Sequence, residues 1–127
     1  IDLIGTASLY SDELLKFGGS AVEVFHMTCS FFPGDQRPEV QDFVKRYKEK
    51  YSKNPTMFAA QAYDAANMII KALKEGATDR KSLRDKLAAI KDFPGVTGVT
   101  SFDENRNVKK EISKLVVKDG KYTPFTN

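Results

Sequence analysis

The chain has 127 residues, 41% of them hydrophobic and 29% charged, with a net charge of +3 at neutral pH. That is enough for one domain with a real core, while no run approaches the ~18 apolar residues of a membrane span. The cations are interleaved with acids, as in Lys45-Arg46-Tyr47-Lys48-Glu49-Lys50, and no aromatic-basic platform or glycine-rich motif accompanies them, so no nucleic-acid partner is expected.

Ile1 to Gly5 reads as a short buried strand, with Thr6-Ala7-Ser8-Leu9-Tyr10 a loop behind it. Ile1 opens without the charged start of a signal peptide, which in a mature or truncated chain says little about export. Ser11 is placed to cap a short helix through Phe17 that Gly18-Gly19 end. Val22 to Cys29 has the length and apolar character of a strand, and Phe31 to Arg37, with Pro33 and Gly34, a loop. Pro38 opens an amphipathic helix in which Val40, Phe43, Val44, Tyr47 and Tyr51 share one face.

Ser52-Lys53 leads into the most unusual stretch, Asn54 to Gly76. Asn54 is positioned to cap a helix, Pro55 to sit at its first turn and Gly76 to close it in a left-handed conformation. Its interior is apolar nearly all round, from Met57 through Leu73. A helix apolar on every side is expected to be covered on every side, and a 127-residue chain has few other elements to do so. The chain is therefore expected to be part of something larger.

Thr78 or Asp79 caps a third amphipathic helix with Leu83, Leu87 and Ile90 as its stripe. After Asp92-Phe93-Pro94-Gly95 the apolar period changes from helical to alternating. Val99 to Phe102 reads as a strand, Asp103 to Asn107 as a turn and Glu111 to Lys118 as a longer strand. Asp119-Gly120 signals a hairpin onto Lys121 to Phe125. The order is α/β with several strands lacking.

Residues that could carry chemistry are few. The single cysteine, Cys29, excludes an internal disulfide. His26 and Cys29, three apart on a strand, point to opposite faces, which speaks against a catalytic pair, and with no other His or Cys a zinc site is not expected. Asp103-Glu104-Asn105-Arg106-Asn107 starts like a calcium loop, yet Val108 and Lys114 stand where glycine and glutamate are needed. Asp12 and Glu13 fall in a helix's first turn, where they favour the macrodipole. No phosphate loop, nucleophile elbow or dinucleotide fingerprint is present. No catalytic residue, metal or cofactor is expected.

Taken together, four segments resemble the C-terminal part of type I periplasmic solute-binding proteins of the leucine/isoleucine/valine-binding family. They are Leu3-Ile4-Gly5-Thr6 before a short helix, FVKRYKEKYSKNP (Phe43 to Pro55), AAQAYDAANMIIKAL (Ala59 to Leu73), and GVTGVTSFDENRN with VVKDGKY in the tail. The resemblance covers nearly the whole chain but only about the last third of such a protein. It implies the C-terminal part of a two-lobed fold with a C-terminal β-hairpin. Residues 1–32 would belong to the C-terminal lobe, 33–110 to the N-terminal lobe, and 111–127 to strands returning to the C-terminal lobe. It implies an extracytoplasmic component, periplasmic or membrane-associated outside a bacterial cell, that passes an amino acid or analogue to the permease of an ABC transporter.

The site is implied only in part. Members that bind amino acids place an acid for the ligand's ammonium where this chain has Ala7, with Ser8 and Leu9 beside it. An unpaired ammonium in a closed cleft is costly, so the acid comes from elsewhere or the ligand lacks a free α-amino group. Phe58 matches a position for an aromatic against the ligand's side chain, core packing being the alternative; Tyr63 is expected to be structural. Arg106 replaces the glycine usual in the family's turn, and Asn107 is expected to take the positive φ instead. Self-association of the fragment is expected, and weak solute binding by the chain alone. A ligand-sensing regulatory domain of the same fold is the second reading. A flavodoxin-like enzyme is the third, and would need Thr6 to Tyr10 to bind phosphate.

Overall fold

The computed structural model describes residues 3–125. In chain order the elements are β1 (Ile4–Gly5), α1 (Asp12–Gly18), β2 (His26–Cys29), α2 (Pro38–Tyr51), α3 (Met57–Lys74) and α4 (Arg80–Ala88), followed by β3 (Phe93–Gly95), β4 (Gly98–Phe102), β5 (Val108–Lys110), β6 (Ser113–Lys118) and β7 (Lys121–Pro124). Short 3-10 turns occupy Ala7–Leu9 and Gly19–Val22. No helix among the described residues is long and apolar enough to cross a membrane.

Two sheets organise these elements. One has the order β1-β2-β6-β7, with β1 and β2 parallel and the other pairs antiparallel; the second is an antiparallel β3-β4-β5 ribbon. In the first sheet Met27 pairs with Leu115, and both lie on the buried face beside Cys29 and Val117. Tyr10, Leu14 and Leu15 cover that face from α1 and the loop before it. A second core joins Val40, Phe43 and Val44 of α2 to Phe31, Ala60 and Val96. Burying each such side chain contributes roughly 1.5–3 kcal/mol.

The helix ends follow their capping chemistry. The Ser11 hydroxyl accepts from the Leu14 N–H at 3.1 Å, and Pro38 opens α2 at its first position. Asp79 and Ser82 form a reciprocal capping box on α4. Gly76, at φ +91, ends α3 in a Schellman arrangement, with the Ala77 N–H on the Ala72 carbonyl and the Gly76 N–H on that of Leu73.

Several expectations are corrected. Ile1 and Asp2 lie outside the described residues, and the strand they were to begin is not buried: Ile4 is 81% exposed at the open edge of the sheet. The strand expected from Val22 is confined to His26–Cys29, because Val24 turns left-handed at φ +56. Thr56, not Asn54, caps α3, so Pro55 precedes the helix. Phe93–Gly95, to which no strand was assigned, pairs with β4; the strand expected over 111–118 is confined to β6, Ser113–Lys118, and β5, Val108–Lys110, is a further strand before it. Arg106 itself takes the positive φ, at +66, while Asp103 holds the turn by accepting the N–H groups of Asn105 and Asn107.

The largest correction concerns α3. Only Ala60, Asp64, Met68 and Ala72 are buried, one stripe at four-residue spacing, whereas Phe58, Ile69, Ile70 and Leu73 are exposed. α2, α4 and the β3–β4 hairpin reach one side of the helix only. Along that side Asp64 is held by three donors: the N–H groups of Val96 and Thr97, each at 2.9 Å, and the Thr97 hydroxyl at 2.6 Å. Tyr63 stacks 4.7 Å from Phe43 and accepts from Arg46, as a structural residue would.

Candidate functional site

A cavity of about 340 Å³ lies where the first sheet's loops face the α2–α3 link. One wall comes from the loop after β1 and the first turn of α1: Ala7, Ser8, Tyr10, Ser11, Asp12 and Glu13. The other is Pro33, the link Asn54-Pro55-Thr56 and the first residues of α3, Met57 and Phe58. Of the four residues singled out from the sequence, Ala7, Ser8 and Phe58 line this cavity. Leu9, 46% exposed, does not. Phe58 is 73% exposed, which removes core packing as its role in this chain.

Local chemistry shapes both walls. Proline at position 55 cannot continue a helix backwards, so the chain enters α3 through an extended Thr56 whose hydroxyl accepts from the Ala59 N–H at 3.3 Å. That leaves the Phe58 ring on the first turn, beside the cavity. The Thr6 and Ser8 hydroxyls lie 2.9 Å apart and fold the opposite loop on itself. Tyr122, on β7, fastens that wall: its hydroxyl donates to the Ser11 carbonyl at 2.7 Å and accepts from the Ser11 N–H at 3.3 Å. The Tyr10 ring packs 4.5 Å from that of Tyr122. Burial raises the pKa of both phenols, that of Tyr10 well above its ordinary range.

Sequence reasoning assigned Asp12 and Glu13 to the helix dipole and missed that they face the cavity. The signal was their place just beyond the loop of Ala7, where the missing acid was sought. Both carboxylates are exposed, and neither forms an ion pair among the described residues. The cavity thus sets a carboxylate-bearing wall against one that carries Phe58, Met57 and the two prolines.

His26 and Cys29 do not form a pair. The Cys29 thiol is fully buried and donates to the Phe31 carbonyl at 2.7 Å, and burial raises its pKa, while His26 meets the Phe125 ring edge-on. No group of three potential metal ligands occurs among the described residues.

The sequence profile described as periplasmic binding protein matches residues 1–121. The chain belongs to this family. No curated protein matches it, but solved structures do. A candidate branched-chain amino acid ABC transporter protein from Rhodospirillum rubrum is 38% identical with a TM-score of 0.89, over 98% of this chain and 37% of that one. The leucine binding protein LivK from Thermotoga maritima is 30% identical with a TM-score of 0.80, over 97% and 36%. The branched-chain amino acid transporter substrate binding protein LivJ from Streptococcus pneumoniae, solved with isoleucine, is 29% identical with a TM-score of 0.80, over 95% and 35%. The chain therefore has the periplasmic binding protein fold and spans little more than a third of the length of these structures. These neighbours are transport proteins, not enzymes.

Proposed function

We propose that this chain is part of the extracytoplasmic solute-binding component of an ABC transporter for branched-chain amino acids or closely related small molecules. In this reading residues 1–32 and 111–127 belong to one lobe and residues 33–110 to the other. The lobes close on solute at the cavity described above and present it to the permease, so the functional event is closure rather than chemistry. The observation that carries the reading is that Ala7 and Ser8, in the loop after β1, meet Phe58, on the first turn of α3, across one cavity.

Phe58 packs against the solute's side chain. Asp12 and Glu13 supply the negative charge for an ammonium that Ala7 lacks, which removes the cost of an unpaired cation in a closed cleft. The names of the neighbours support a branched-chain solute, since one is a leucine binding protein and another was solved with isoleucine. The exposed apolar face of α3 supports a chain that self-associates when it lacks further cover.

The test is calorimetric titration of leucine and isoleucine into the chain joined to the residues encoded before Ile1, in parallel with the chain alone. Saturable binding is expected in the longer protein and little or none in the 127 residues. F58A in the longer protein should weaken it about tenfold, equivalent to ~1.4 kcal/mol. Micromolar binding by the chain alone, or F58A binding like the parent, contradicts this reading.

A further inference from the structure

A second groove, of about 420 Å³, runs between α4 and the turn from β4 to β5. Its floor is Leu83, Leu87 and Phe102, and two of these, Leu87 and Phe102, close the outer side of the core formed by Met68, Ile90 and Phe93. Arginines stand around that floor. Arg80 and Arg84 lie one helical turn apart on α4, and Arg106 projects from the facing turn. Arg84 is engaged by Asp85, which accepts its Nε and Nη2 donors at 2.9 and 2.6 Å. Among the described residues Arg80 and Arg106 form no ion pair.

Arg106 holds its position in a conformation that disfavours it. Its φ of +66 is open to glycine without steric penalty, whereas any Cβ is crowded there. The turn closed by Asp103 holds that backbone in place and so fixes where the Arg106 side chain leaves the chain, beside the groove. Guanidinium groups on α4 and on the facing turn match carboxylates carried on either side of an apolar residue. The floor between them rewards an apolar side chain.

We propose that this groove docks a segment of a partner protein in which acidic residues flank an apolar one. The groove lies apart from the solute cavity, and the proposal stands whether or not the cavity binds an amino acid.

The experiment selects random seven-residue peptides displayed on phage against the intact chain and measures the enriched peptides by fluorescence anisotropy. Aspartate or glutamate on either side of a leucine, isoleucine or phenylalanine is the expected pattern. Affinity should fall at least about tenfold in R80E/R106E and weaken steadily with salt. Melting by circular dichroism checks that this variant folds. R106G serves as the second variant, since it removes one charge while relaxing the backbone; its expected signature is weaker peptide binding with a raised melting temperature. Peptides lacking acids, or binding equal in R80E/R106E, overturn the proposal. So does full displacement of the peptide by dodecanoate at one-to-one stoichiometry, which makes this a small-molecule site. Dimerisation of the chain that R80E/R106E abolishes assigns the groove to a second copy and also overturns it.

Discussion

The Tyr122 hydroxyl bonds both the N–H and the carbonyl of Ser11, 111 residues earlier in the chain. The C-terminal hairpin thereby holds the loop that walls the candidate solute cavity. Y122F removes one donor and one acceptor at a half-buried site, and should lower stability by about 1–2 kcal/mol. Urea unfolding followed by circular dichroism measures it, and a change under about 0.3 kcal/mol would show that the contact is incidental. In the longer protein the same variant should weaken leucine binding without touching the ligand directly.

Asp64 is the buried carboxylate on which the β3–β4 hairpin is hung. D64A leaves two backbone N–H groups and the Thr97 hydroxyl without their acceptor, and at roughly 1–3 kcal/mol for each buried unsatisfied group the loss should exceed about 3 kcal/mol. G95A tests the same contact from the other side: an added Cβ lies 2.5 Å from Asp64 Oδ2, so the hairpin must shift. The two substitutions should be far from additive, because either one alone separates the same surfaces. Additive losses in denaturant titrations would contradict this.

The uncovered face of α3 should be adhesive. With Phe58, Ile69, Ile70 and Leu73 exposed together, sedimentation should show association that rises with concentration, accompanied by hydrophobic-dye fluorescence. I69E/L73E is expected to return the chain to a monomer and reduce the dye signal. A monodisperse parent that binds no dye would rule this out.

Acid should loosen α4 and the β4–β5 turn. The carboxyl of Asp79 is held below the ordinary range first by the Ser82 N–H, and that of Asp103 first by the Asn107 N–H. A carboxylate depressed in the folded state takes up its proton more readily in the unfolded chain. Its contribution is therefore present above the unfolded value and fades as pH falls through the folded one. Urea midpoints should hold from neutral pH to about 5 and decline below about 4, where free aspartates titrate. D79N keeps a good capping side chain without the charge, so its midpoint should fall less steeply in acid.

The sequence alone determined the helices and most of their limits, the Asp119-Gly120 hairpin and the family, because these rest on local chemistry: a cap at Ser11, Pro38 at a first turn, Gly76 at a left-handed end, and motifs in order; the start of α3 it placed two residues early, at Pro55. It also brought Ala7, Ser8 and Phe58 forward, through the resemblance. What only the tertiary structure decided is which surfaces meet. The apolar circumference of α3 shows that the helix can be covered, but its burial depends on which neighbours this chain supplies, and they cover one stripe. Asp64 looked like part of a motif until the hairpin's N–H groups converged on it. Arg106 took the left-handed position because Asp103 closes the turn through Asn105 and Asn107, whatever side chain stands between. Asp12 and Glu13 followed the rule for a helix's first turn, and nothing along the chain could say that this turn faces Phe58; that depends on how two distant segments pack.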